Sequence, residues 1–235
     1  MKLQAKRGVL LTLAICIMFT LGATRLDIFG AGNSNIVFYK SRKPTKKIAL
    51  SFDDGPHPRY TERILEILDQ YSIKATFFAI GVNIQNYPEP LRKVAAAGHE
   101  IGNHSFSHSV CNPNKVYNLA EEMQKCDSLI FETTGQKPKL FRPPCGIYDD
   151  KIINAAEERG YSVVLWSVDT LDWKSTEPCE IANIVEREID GGEIILMHDY
   201  TSGKNTTCAA LELIIPQLLA KGYEFVKVSE LLQES

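Results

Sequence analysis

Ile48-Ala49-Leu50-Ser51-Phe52-Asp53-Asp54-Gly55-Pro56 is a short apolar run that stops at two acids and a turn. Residues 48–52 read as a strand with no polar alternation, hence one covered on both faces. Gly55 and Pro56 force an immediate turn. The layout recurs: residues 75–80, 100–101, 140–141, 162–168, 193–197 and 224–228 read as further strands. Helical spacing fills the gaps at 61–71, 88–97, 118–133, 149–159, 179–189 and 209–220, with Gly98, Gly160 and Gly222 as helix stops. About seven apolar strands alternating with helices predict a parallel sheet wrapped by helices. No dinucleotide-type glycine fingerprint follows the first strand, which favours an incomplete (β/α) barrel over an open doubly wound sheet.

The unusual residues gather where those strands end. Asp53 and Asp54 follow the first, His104 and His108 the third, and Arg142 the fourth. Asp169 and Asp172 follow the fifth, and His198-Asp199 the sixth. In barrels and parallel sheets the carboxyl ends of strands form the rim that carries active sites. Adjacent acids point in opposite directions, so Asp53 and Asp54 can serve two roles, one toward a metal and one toward substrate. His104-Ser-Phe-Ser-His108 spaces two imidazoles four apart, and a single turn brings both rings to one side. His104, His108 and one aspartate make a three-ligand set with coordination positions left open, the composition of a catalytic site. Two imidazoles and a carboxylate suit Zn²⁺, with Co²⁺, Ni²⁺ or Fe²⁺ as alternatives. Cys111, three residues after His108, would close the site as a fourth ligand and is set aside for that reason. Asp169 or Asp172 could fix the tautomer of His198 and raise its pKa. Arg142 needs a carboxylate, and Asp53 is the candidate. His99 reads as structural and His57 as a rim residue.

Composition frames the rest. The 235 residues, 44% hydrophobic and 23% charged, fit one globular domain with an appendage. The net charge of −3 excludes a strongly basic nucleic-acid binder, but it conceals an asymmetry. Residues 1–47 carry +8 and the remaining 188 carry −11. Lys2, Lys6 and Arg7 precede an apolar run over 9–23, the layout of a secretory signal. The run is short against the ~20 residues of a membrane span, and cleavage and anchoring both remain open. Residues 1–24 are therefore assigned as a signal peptide or membrane anchor that engages membrane or export machinery. Residues 25–46 are read as a linker and 47–235 as the catalytic domain. The domain's charge argues against steering toward an anionic polymer. Six cysteines show no CxxC pair, and a domain of this size needs no staples, so no disulfide is assigned.

Five segments together carry a family resemblance: Ser51-Phe-Asp-Asp-Gly-Pro56, His104-Ser-Phe-Ser-His108, Arg142-Pro-Pro-Cys-Gly146, Asp169-Thr-Leu-Asp-Trp173 and Leu196-Met-His198. From about residue 46 to 228 the chain resembles the polysaccharide deacetylases of the NodB type, carbohydrate esterase family 4. The resemblance implies a distorted (β/α) barrel and a metal-dependent hydrolase acting on an N-acetylated glycan. It implies Asp53 as general base, Asp54, His104 and His108 as metal ligands, and Arg142 as the residue orienting the base. It implies His198 as general acid tuned by Asp172, with Trp173 and Leu196 lining the acetyl pocket. Cys145 stands where the family often has an aromatic residue, and its backbone N–H is implied to hold the oxyanion. An extracytoplasmic monomer working on peptidoglycan or a chitin-like glycan is expected. O-acetyl esterase activity and a silent glycan-binding domain are the rival readings.

Overall fold

The structure, a computed structural model, describes residues 35–109, 118–201 and 206–233. The signal or anchor assigned to 1–24 lies outside those residues, as do Cys16 and Cys111. Among the described residues no helix is long and apolar enough to cross a membrane.

The sheet is centred on β2 (Lys47–Asp53), which carries the apolar run of residues 48–52. It is flanked by β3 (Thr76–Ala79) and β8 (Ile194–His198), both parallel to it. From β3 the sheet continues through β4 (Glu100–Asn103), β5 (Leu140–Phe141) and β6 (Ser162–Val164) to β1 (Val37–Phe38). From β8 it continues to β7 (Val168–Asp169), and β9 (Glu224–Phe225) pairs with the start of β2. All these pairings are parallel. The helices are α1 (Tyr60–Gln70), α2 (Gly81–Asn86), α3 (Pro88–Ala96), α4 (Leu119–Thr134), α5 (Asp150–Glu157), α6 (Pro178–Glu188), α7 (Thr207–Ala220) and α8 (Val228–Gln233).

Alternate residues of each strand enter different cores, as the two-residue period requires. Ile48, Leu50 and Phe52 pack outward into the helix layer with Ile64 and Leu68 of α1 and Ile214 of α7. Ala49 faces inward, sharing a cluster with Phe78, Leu140, Val164, Ile194 and Leu231 of α8. Burial on both faces is why the strands lack polar alternation. The helices start and stop on local chemistry. Asn118 and Asp149 cap α4 and α5 by accepting from Glu121 and Ile152 N–H, at 3.4 and 2.9 Å. Gly135 closes α4 at φ 73°.

The structure corrects the strand reading in three places. The single strand expected over 162–168 is two, β6 and β7, separated by a bend at Leu165–Ser167. Leu165 N–H still reaches Phe38 O of β1 at 2.8 Å, whereas Ser167 N–H reaches Ile194 O of β8 at 3.1 Å. One bent segment thus belongs to both ends of the sheet, and this closes the distorted barrel. Secondly, the chain joins the sheet before residue 47, since β1 pairs with β6 and Ser41 N–H reaches Gly192 O at 2.8 Å. Thirdly, the last strand ends at Phe225, and Val228 opens α8. Helix spacing there was too short to register.

Candidate active site

Asp53 is the last residue of β2, and Asp54 begins the turn at φ 76°, a left-handed conformation that aspartate tolerates better than most residues. Asn83 Nδ2 donates to Asp54 O at 2.7 Å, and Ile80 N–H to Gly55 O at 2.9 Å, so the turn is anchored to α2. Position 55 has no room for a side chain, because a Cβ there would lie 2.1 Å from the Asp199 carboxylate. Asp199 is fully buried, accepts from Thr61 Oγ1, and is pushed up to about 7 by that burial.

His104 and His108 hang from the segment after β4. It is a loop turn, not a helix: Ser105 and His108 sit at φ 66° and 54°, and His108 N–H donates to Ser105 Oγ at 3.2 Å. Gly81 and Val82 N–H bind Ser105 O and Phe106 O at 3.0 and 2.8 Å, and Glu122 accepts from Ser107 N–H at 2.6 Å. Asp54 Oδ1 lies 3.5 Å from His104 Nε2 and 3.4 Å from His108 Nε2. Asp54 Oδ1 is buried with no hydrogen-bond partner. Burial opposes ionisation of Asp54, but the three histidines around it hold its carboxyl below the usual value.

These three atoms fit a divalent cation. Ligands bound tetrahedrally at ~2.1 Å stand ~3.4 Å apart, and the orphaned Asp54 oxygen lacks only a positive partner. His104 Nδ1 donates to Arg142 O at 2.7 Å, which leaves the Nε2 lone pair on the side of Asp54.

Arg142 is wholly buried at the end of β5. Its Nη1 donates to Asp53 Oδ1 at 2.7 Å. Its Nε and Nη2 donate to Val164 O and Leu165 O, at 3.2 and 3.1 Å. Those two carbonyls belong to the bend between β6 and β7. One guanidinium therefore satisfies the strand that closes the barrel and fixes the acid at its rim. Phe78 lies beneath it, 4.0 Å from ring centroid to guanidinium carbon.

His198 ends β8 directly beside Asp53, the two being register partners. Its Nδ1 bonds Asp172 Oδ1 at 2.7 Å, while its own N–H donates to Asp172 Oδ2 at 2.8 Å. Thr207 Oγ1 also donates to Asp172 Oδ2, at 2.7 Å. Burial alone would lower the His198 pKa, but the bond to Asp172 and the nearby acids raise it to about 9. Asp169, the other acid considered as a partner, instead accepts from Leu171 N–H at 3.0 Å and shapes the loop that delivers Asp172.

These groups line one groove of about 560 Å³, a size typical of ligand pockets. Asp53, Asp54, His104, His108 and His198 line its floor, and Cys145, Trp173 and Leu196 its walls. Arg142 and Asp172 stand behind, hydrogen-bonded to Asp53 and His198. Trp173 is 57% exposed and Leu196 4%.

Cys145 brings a correction. It lies at φ 58° on a short 3-10 turn, Pro144–Gly146, and it is disulfide-bonded, whereas no disulfide was assigned from sequence. Cys126, Cys179 and Cys208 are free thiols. Long-range pairing depends on which loops meet, and spacing along the chain does not encode that. The next residue, Gly146, sits at φ 67° with the Trp166 ring 2.8 Å from where a Cβ would be. Trp166, Tyr200 and Thr201 also line the groove and were missed. Trp166 lay inside an apolar run and carried no signal to separate it from core. His99 is structural: it is buried, accepts from Ala75 N–H at 3.1 Å through Nδ1, and is pushed down to about 4 chiefly by burial.

Comparison with known proteins decides the family. Residues 40–164 match the family described as polysaccharide deacetylase. The chain belongs to the polysaccharide deacetylase family. A Bacillus cereus peptidoglycan-N-acetylglucosamine deacetylase is 42% identical over 194 residues, covering 80% of this chain and 89% of the relative. A solved peptidoglycan N-acetylglucosamine deacetylase, complexed with 4-naphthalen-1-yl-N-oxidanyl-benzamide, superposes with a TM-score of 0.79 at 34% identity, covering 85% of this chain and 94% of its own. A family 4 acetyl xylan esterase from Clostridium thermocellum, in complex with a cobalt ion, has a TM-score of 0.71 at 34% identity, covering 79% and 89%. The protein is thus a polysaccharide deacetylase, a hydrolase of N-acetyl amide bonds on a glycan, carried on a distorted (β/α) barrel.

Proposed function

We propose that the protein is an exported, metal-dependent N-deacetylase that removes acetyl groups from N-acetylglucosamine units of peptidoglycan or a chitin-like glycan. The observation that carries this is the register pairing of Asp53 and His198 beside the Asp54–His104–His108 cluster. An acid, a base and a cation site thereby face one groove.

A divalent ion held by Asp54, His104 and His108, with Zn²⁺ best suited to that donor set, would acidify a water and polarise the acetyl carbonyl. The protein's own groups do the remainder. Asp53 is held through Oδ1 by Arg142, while Oδ2 lies 3.7 Å from His104 Nε2, on the cluster side. Asp53 Oδ2 takes the water proton as attack proceeds. The backbone N–H of Cys145 stabilises the oxygen of the tetrahedral intermediate. His198, fixed through Nδ1 by Asp172, presents Nε2 to the groove. Held near 9, its ring stays protonated at neutral pH and protonates the departing amine. Trp173 and Leu196 surround the acetyl methyl. Acetate and a glucosamine unit leave.

The basic, apolar N-terminus supports export, and the wall-directed activity named for the Bacillus cereus relative supports a substrate outside the membrane. The −11 charge of residues 48–235 suits a neutral glycan and a product that becomes cationic. Action as a monomer is part of the same proposal. The test is acetate release from N-acetylglucosamine oligomers and peptidoglycan, lost on chelation and restored by Zn²⁺. Acetate released only from O-acetylated xylan would replace this reading with the esterase one.

A further inference from the structure

Three rings at the groove's rim form a stack that the chemistry above does not use. His57 follows the Gly55–Pro56 turn, Tyr60 begins α1, and Tyr200 comes two residues after His198. The His57 ring lies 4.7 Å from Tyr60 at 25° and 5.2 Å from Tyr200 at 15°. Tyr87 approaches His57 at 6.1 Å and 58°. The Arg59 guanidinium lies 5.7 Å from the Tyr60 ring centroid. Tyr200 is the member that lines the groove, and it is 39% exposed. Burial and Arg59 push the His57 pKa down, which favours the uncharged ring for stacking.

We propose that Tyr200, backed by His57 and Tyr60, is a stacking platform for a sugar ring of the glycan neighbouring the one that is deacetylated. The proposal rests on the glycan reading above and adds a second binding position to it. A polymer whose reacting unit sits over Asp54, His104 and His108 must run its next unit along the rim. A pyranose face is a flat array of C–H bonds. Such edges are drawn to the negative face of an aromatic ring. Tyr200 is also pre-oriented, because its rear face already rests on His57, so binding gives up little side-chain freedom. The alternative use of an exposed tyrosine, a phenol hydrogen bond to substrate, differs in one respect: it would be lost on replacement by phenylalanine.

The experiment uses the zinc-loaded full chain and two probes, the N-acetylglucosamine tetramer and the monosaccharide. Affinities are measured by calorimetry and ligand-observed NMR, independently of turnover. If a sugar face gains what a second aromatic ring gains, Tyr200→Ala weakens tetramer binding by about 2- to 12-fold. Monosaccharide binding changes less than twofold. Tyr200→Phe retains tetramer affinity, and His57→Ala gives a partial loss of the same sign. Tetramer affinity within twofold of wild type in Tyr200→Ala overturns the platform, as does an equal loss for both probes or a failure of phenylalanine to rescue. A wild type that binds the tetramer yet releases no acetate overturns the deacetylase reading, while the binding ratio still decides the platform.

Discussion

Replacing Asp172 with asparagine isolates the device that keeps His198 charged. Asp172 is 1% exposed and makes three hydrogen bonds, to the ring and the backbone N–H of His198 and to Thr207. Asparagine keeps the size and most of those bonds but removes the negative charge. Burial opposes the charge of His198, and Asp172 is the largest influence raising its value to about 9. Without that anion the pKa falls to the ordinary ~6.5 or below. As the proposed general acid, His198 must be protonated, so activity is present below the folded pKa and lost as pH rises through it. At pH 8 the protonated fraction drops from about 0.9 to about 0.03, a loss of about 30-fold, while at pH 6 the loss is below twofold. Both proteins are compared at one fixed zinc concentration. The assay is kcat/KM for acetate release from pH 5 to 10. The expected result is an alkaline limb moved down by about 2.5 units in Asp172→Asn. An unmoved limb with uniformly lower activity would assign that limb to a group other than His198.

Three further outcomes are expected. Arg142→Met leaves Asp53 buried without its partner and should lower unfolding free energy by about 3–5 kcal/mol in denaturant titration, whereas adding Asp53→Asn should recover part of that loss. Zinc at 100 times its Kd should stabilise the wild type by about 2.7 kcal/mol, read as a rise in Tm, and this shift should vanish in His108→Ala, which removes one of three ligands. Asp199 has a folded value of about 7 against an ordinary ~3.9. Its favourable contribution is therefore complete below pH ~4 and fades at up to ~1.4 kcal/mol per unit as pH climbs to 7. Asp199→Asn should remove that slope from the pH dependence of unfolding, and an unchanged slope would show that Asp199 is ionised in the folded protein.

Much of the site is readable in the sequence because each motif is short and sits at a strand end. The His104–His108 spacing and the Asp53–Asp54 pair lie within five residues, so a local turn suffices to aim them. Eight of the ten residues singled out line the groove. The partners of those residues were harder to place. Asp169 and Asp172 follow the same strand, and both were open as the partner of His198. The left-handed Leu171, at φ 55°, turns the loop so that Asp172 faces His198. Trp166 and Tyr200 carried no motif, and their place in the groove depends on the bend after β6 and the end of β8.

The layering is written in apolar periodicity, because strands are buried on both faces and helices on one. The sequence also determined which chemical groups stand at the rim. Tertiary structure alone decided closure, in which one bent segment pairs with β5 and with β8 while Arg142 satisfies the carbonyls at the bend. It also decided the disulfide at Cys145 and the stack of Tyr60, His57 and Tyr200. These contacts join positions up to well over a hundred residues apart. No local pattern encodes such separations; they exist only once the barrel brings its strand ends together.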